Sequence, residues 1–187
     1  MGEIALVIGS EARTADNKLY GYVKSIVVDR RSRAVTHLVI EPNGCEGLAR
    51  LVSLDNRVDA QERVIQLHYT ETEFKQLTAA EKLLAETSGG ETDLVPMLLP
   101  AEDEERRGDH VHATDGEIGQ LRALCIDPGT RRVTHVRALL RGPHLWRNKE
   151  VSIPSGSISG FSTGIHLNIS RQQVQALSPG DTDRSSG

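Results

Sequence analysis

Thr114-Asp115-Gly116-Glu117-Ile118-Gly119, followed by Asp127-Pro128-Gly129-Thr130 and then Arg132-Val133-Thr134-His135-Val136, is the stretch that decides the fold. Asp115-Gly116 lies between short runs of alternating apolar residues, and Asp-Gly readily supplies the positive φ angles of a tight hairpin turn. In Asp127-Pro128-Gly129-Thr130, proline sets φ at the second turn position and glycine accommodates the third. This second turn joins Gly119–Ile126 to Arg132–Leu140, both strand-like in their alternation and their Val, Ile, Leu and Thr content. Val151–Pro154 and Ile165–Ile169 add further short strands between glycines and serines. Short strands at this spacing predict a small barrel or sandwich.

The same pattern occurs earlier in the chain. Gly21, Asp29, Arg33, Val35, Thr36 and His37 recur as Gly119, Asp127, Arg131, Val133, Thr134 and His135 at one constant offset. Upstream, Gly9 and Asp16 match Gly108 and Asp115, with one extra residue in the first copy. Downstream, Val52-Ser53-Leu54 matches Val151-Ser152-Ile153, and Ile65-Gln66-Leu67 matches Ile165-His166-Leu167. Matches that keep their order over this length identify an internal duplication. Each copy then closes on a capping box, Thr70-x-x-Glu73 and Ser170-x-x-Gln173, which predicts a helix start. Phe74, Leu77, Leu83 and Leu84 extend the first helix to about Glu86, whereas Pro179 and Gly180 stop the second after Leu177.

These boundaries divide the chain into a first copy over 1–78, a connector over 79–107, a second copy over 108–178 and a disordered tail over 179–187. The connector holds 3 basic residues against 8 acidic ones, so the net charge of −4 belongs to it. Glu102 to Glu105 is an unbroken acid run in a segment read as a solvated linker, with a docking surface for a basic partner as the alternative. Its apolar patch, Val95–Leu99, is expected to pack on one of the barrels, because exposed it would invite association.

Composition narrows the class further. With two Phe, three Tyr and one Trp, the core is built from branched aliphatics, which favours strands. No basic region precedes an apolar stretch at the N-terminus and no run is long enough to span a membrane, so a cytoplasmic protein is expected. Cys45 and Cys125 are far apart with no CxxC companion, so free thiols are expected rather than a disulfide framework or thiolate metal site.

The turn and strand motifs of the second copy, with Lys149-Glu150-Val151-Ser152-Ile153-Pro154, resemble the PRC-barrel family. That family is named after the photosynthetic reaction centre H subunit and includes the C-terminal part of a ribosome maturation factor. The resemblance is weaker in the first copy, where Ala15-Asp16-Asn17-Lys18-Leu19-Tyr20-Gly21 departs from the Asp-Gly turn and Val52-Ser53-Leu54-Asp55 lacks the proline. It implies an all-β fold with short helices, arranged as two tandem PRC-type barrels of about six strands each. Family members act mainly as assembly or docking modules, so the resemblance carries over no catalytic residue.

Several residues are candidates for contact with a ligand or partner. His37 and His135 hold equivalent strand positions and either face a shared interface or are ordinary strand histidines. The segment Arg141–Lys149 gathers the only tryptophan, Trp146, with His144, Arg147 and other basic residues; it serves as a recognition loop or caps a barrel end. His110-x-His112 has the spacing of two ligands on one strand face, but no third ligand accompanies it. No metal or cofactor is therefore expected. An acidic chain with few rings argues against nucleic acid, although Arg30-Arg31-Arg33 and Arg131-Arg132 are basic turns. Motifs for hydrolase, kinase or dehydrogenase chemistry are absent. The leading expectation is a non-catalytic module that binds a protein partner or forms a homodimer. The alternative is a barrel that binds a hydrophobic small molecule, or a cyclase that preorganises one, in an apolar pocket at the junction lined by residues such as Leu121, Leu139 and Trp146.

Overall fold

The computed structural model describes residues 3–44, 48–54, 58–61, 63–80, 94–98, 109–141, 149–161 and 164–177. The first copy contributes β1 (Ile4–Val7), β2 (Glu11–Arg13), β3 (Leu19–Asp29), β4 (Val35–Pro42), β5 (Arg50–Ser53), β6 (Val58–Gln61), β7 (Val64–Leu67) and α1 (Glu71–Lys75). After β8 (Leu94–Leu98) the second copy contributes β9 (His110–Ala113), β10 (Gly116–Ile126), β11 (Val133–Leu140) and β12 (Lys149–Pro154). A 3₁₀ turn (Ser155–Ser157), β13 (Ile158–Phe161), β14 (Ile165–Leu167) and α2 (Arg171–Gln175) complete it.

The strands form two seven-stranded sheets with the same order. One runs β5-β4-β3-β2-β7-β6 and the other β12-β11-β10-β9-β14-β13, each with one parallel pair, β2 with β7 and β9 with β14. The expected pair of barrel-type units related by duplication is therefore present. In both copies the long central strand is bulged against its partners, between Val23 and Ser25 in β3 and between Leu121 and Ala123 in β10. Bulges of this kind bend a strand and sharpen its twist.

The seventh strand of each sheet comes from outside the copy that holds the other six. β1, at the start of the first copy, pairs antiparallel with β10 of the second, Ile4 opposite Ile126 through Val7 opposite Ala123. β8, from the connector, pairs antiparallel with β3 of the first copy, Leu94 opposite Asp29 through Leu98 opposite Ser25. The strand that opens the first copy thus completes the second sheet, and the strand that precedes the second copy completes the first, an exchange of equivalent strands. The reason lies in strand length: β2 and β9 cover only part of one edge of the eleven-residue β3 and β10. The rest of that edge would otherwise carry unpaired backbone groups. Gly9, at φ +81°, makes the sharp turn by which the chain leaves one sheet after β1 and enters the other at β2. Pro96 is compatible with β8 because an edge strand has backbone positions that need no ladder hydrogen bond.

The connector's apolar patch, expected to pack on a barrel, does so as a strand over Leu94–Leu98, and the boundaries at 78 and 107 separate the sequence copies but not the sheets. The helix expected as one run to about Glu86 is interrupted within the described residues, Glu81–Glu86 lying outside them. The Thr70 capping box forms as expected, but α1 ends at Lys75. The chain then turns back along β5, where Leu51 N–H donates to Thr78 O at 2.9 Å, Ala80 N–H to Ala49 O at 2.8 Å, and Ala79 bridges Arg50. Covering the edge of β5 wins over continuing a short helix, because it pairs backbone groups and buries Ala80 against Val27 and Val39. The Ser170 box forms likewise and starts α2.

The main core is one largely aliphatic cluster that runs through both copies. It includes Leu6, Ile26, Leu38, Ile65 and Phe74 from the first and Leu121, Leu124, Ile153, Ile165 and Val174 from the second. Leu6, 1% exposed on the exchanged β1, contributes about 2 kcal/mol by burial. The sequence match of Val52-Ser53-Leu54 to Val151-Ser152-Ile153 holds in burial but not in pairing. Val52 lies opposite Leu38, whereas Ile153, not Val151, lies opposite the equivalent Val136. A slip of two residues leaves the same face inward, so the core tolerates it.

Candidate functional site

The exchanged strands bring together the two turns that follow β3 and β10. In each, the aspartate that begins the turn caps it. Asp29 Oδ1 accepts from the N–H groups of Arg31 at 2.9 Å and Ser32 at 2.8 Å. Asp127 Oδ1 accepts from Gly129 N–H at 3.1 Å and Thr130 N–H at 2.7 Å, and also from the Thr130 hydroxyl at 2.9 Å. Backbone hydrogen bonds hold both carboxyls below the ordinary carboxylate range. The residue that turns left-handed is not Gly129 but the arginine at the turn's end, Arg33 at φ +56° and Arg131 at φ +58°. Non-glycine residues rarely adopt that conformation.

Its use is visible across the junction. Val133 N–H donates to Arg33 O and Val35 N–H to Arg131 O, both at 2.9 Å, and Ala34 bridges Arg132 antiparallel between them. The two turns are thus related by an approximate twofold and joined backbone to backbone. Side chains reinforce the joint: Arg132 Nε donates to Ser32 O at 2.9 Å, and Arg33 Nη1 reaches Ser155 O at 3.5 Å.

A cleft of about 350 Å³ opens at this joint, lined by Arg31, Ser32, Arg33, Arg132, Val133 and Ser155. It is cationic, with Val133 as its one hydrophobic lining residue. Among the described residues no carboxylate pairs with Arg33 or Arg132, whose side chains are held by carbonyl oxygens instead. The sequence marked both arginine turns but not their meeting, since they lie 98 residues apart. The one legible signal was that Arg33 itself recurs as Arg131.

The residues singled out from sequence are placed differently. Trp146, His144 and Arg147 lie outside the described residues, as do Cys45, Asp55 and the acid run Glu102–Glu105. His37 and His135 sit in separate sheets and meet different groups. His37 Nδ1 is 3.0 Å from Thr36 Oγ1, and burial pushes its pKa down. His135 Nδ1 is 2.8 Å from Glu3 Oε1, just ahead of the exchanged β1, and the Thr134 hydroxyl donates to the same oxygen. His135 therefore faces a contact between the copies, while His37 pairs within its own strand. Leu121 is fully buried opposite Ala138, whereas Leu139 is half-buried in the alternate phase of β11. The two leucines thus point to opposite faces and do not line one pocket.

His110 pairs with Glu117 at 2.7 Å, while His112 stacks on His166 of the neighbouring β14 with ring centres 5.1 Å apart. Among the described residues no group of three or more potential ligands could hold a metal ion. No helix there is long and apolar enough to cross a membrane.

A family model described as PRC-barrel domain matches residues 1–74, so a PRC-barrel domain is present there. The match falls on the first copy, although the sequence motifs are more complete in the second. No curated protein matches the chain.

Proposed function

We propose that the protein is a non-catalytic docking module, a tandem pair of barrels that presents one composite face to a protein partner or to a second copy of itself. The observation that carries this reading is the exchange of β1 and β8. Two barrels that share edge strands and one core cannot hinge apart without breaking a sheet. Such a body holds surface groups at fixed spacing, which lowers the ordering cost of binding. The face at the junction is the natural candidate, because neither barrel forms it alone. The alternative of an apolar substrate cavity gains no support from Leu121 and Leu139, which lie on opposite faces.

The test is native mass spectrometry of the protein purified from its own host, paired with a photo-crosslinking residue placed at Arg31 on the junction or at Asp59 on β6. A dimer or a defined heterocomplex, captured from position 31 and not from position 59, is the expected result. A bare monomer that crosslinks to nothing from either position refutes the reading.

A further inference from the structure

We propose that the cleft between the two arginine turns binds a phosphate-bearing small molecule, held by Arg33 and Arg132 with Arg31 at the rim. Three guanidinium groups line a space of about 350 Å³, at the lower end of small-ligand sites. Arg132 is tethered through Nε to Ser32 O at 2.9 Å, and Arg33 Nη1 lies 3.5 Å from Ser155 O, within reach of a weaker contact. The tether orients the planar fork of Arg132 while leaving its remaining N–H groups to donate, which reduces the entropy lost when an anion enters.

The charge count favours phosphate. One arginine fork already matches both oxygens of a carboxylate. A dianionic phosphate monoester has three terminal oxygens and more charge to pair. Asp29 and Asp127, the acidic groups of the same turns, are not among the residues that line the cleft, and each accepts backbone N–H groups of its own turn. None of the six lining residues is aromatic, so the cleft lacks the stacking surface that single-stranded nucleic acid uses. This inference goes beyond the docking reading: a chain that bound phosphate but no protein would refute that reading alone.

The full chain is titrated with inorganic phosphate, with glucose 6-phosphate and with glucose, monitored by calorimetry and by the NMR signals of the arginine Nε–H groups. Saturable binding of the phosphate compounds but not of glucose is expected. Tighter binding of glucose 6-phosphate than of inorganic phosphate identifies an ester site, and the reverse a free-oxyanion site. Arg132→Gln should weaken binding about tenfold or more, as the loss of a charge-assisted hydrogen bond implies. Arg132 also bonds across the junction, so Arg31→Gln provides a second variant, at a residue outside those junction bonds, expected to weaken binding about threefold or more while the protein still unfolds cooperatively. Lys24→Gln, whose side chain pairs with Glu41 away from the cleft, should leave binding unchanged. Failure of both phosphate compounds to saturate by ~10 mM, or affinity that survives both arginine substitutions, overturns the proposal.

Discussion

Gly119→Ala should destabilise the protein by several kilocalories per mole, against the usual sign of that substitution in a strand. A Cβ built on Gly119 would lie 2.1 Å from Leu139 O, 2.8 Å from Leu139 C and 2.9 Å from Leu140 Cα, where 3.0 Å is the practical limit for a real contact. The obstacle is backbone, which cannot rotate away, so β10 and β11 must part by almost 1 Å. A shift of that size takes a ladder hydrogen bond out of its range of about 2.7–3.2 Å. Losing one or two such bonds at about 1 kcal/mol each, together with overpacking strain of about 1–3 kcal/mol, gives about 2–5 kcal/mol. For a chain of this length that lowers the thermal midpoint by about 4–20 °C. Without a clash, the same change would stabilise by about 0.4–1 kcal/mol through the unfolded state. Gly160→Ala is the internal control, because nothing lies within 4 Å of its added Cβ. Differential scanning calorimetry of both variants decides the matter. A Gly119→Ala midpoint equal to or above that of Gly160→Ala would refute the close-approach argument and remove the reason for glycine at Gly119 and at the equivalent Gly21, whose added Cβ would lie 1.9 Å from Glu41 O.

The strand exchange and single titrating groups are open to test as well. Deleting residues 1–8 should loosen the second copy: hydrogen exchange across Ala123–Ile126 should accelerate about tenfold or more, since Leu6 alone contributes about 2 kcal/mol there. Loss of protection confined to the first copy would rule out the exchange. Glu3 is partly desolvated, which raises its pKa, but hydrogen bonds from Thr134 and His135 outweigh this and hold it below its ordinary value of 4.5. Its folded pKa is the lower one, so its contribution is present above about pH 4.5 and fades as pH falls through the folded value. Urea midpoints at pH 7 and pH 4 should therefore differ more for the wild type than for Glu3→Gln; equal differences would show that Glu3 does not anchor β1. Burial, with Glu3 adding to it, pushes the Cys125 thiol up to about 11, so little thiolate exists at pH 8. Peptide mapping after iodoacetamide treatment should find Cys125 unmodified in the native protein and alkylated in denaturant, and fast native labelling would contradict this.

Much of this fold was legible without coordinates. The aspartate-led turns, the alternation of Val, Ile and Leu, and the two capping boxes depend on a few adjacent residues, and each forms where the spacing placed it. The duplication was legible because a repeated structure repeats its most constrained positions, such as Gly21 with Gly119 and Arg33 with Arg131. The extra residue in the first copy's hairpin also has a local explanation: Asn17 takes φ +60° where the second copy uses Gly116 at φ +125°. The left-handed residue of the later turn was less legible, because Arg131 holds the position and arginine has no preference for that conformation.

Which edge a strand joins was a different kind of question. Ile4–Val7 and Leu94–Leu98 both read as apolar segments, and the connector's patch was expected to pack on a barrel. Nothing in either side-chain pattern says that each completes the sheet of the other copy. The partners are unpaired N–H and C=O groups along β10 and β3, and these are the same for nearly every residue. The candidate cleft depends on that choice, since Arg33 and Arg132 meet only because the exchange joins the turns. Local chemistry therefore determined the turns, strands and helix starts, while the pairing of backbone edges distant in the chain, decided only by the tertiary structure, created the junction and the charge within it.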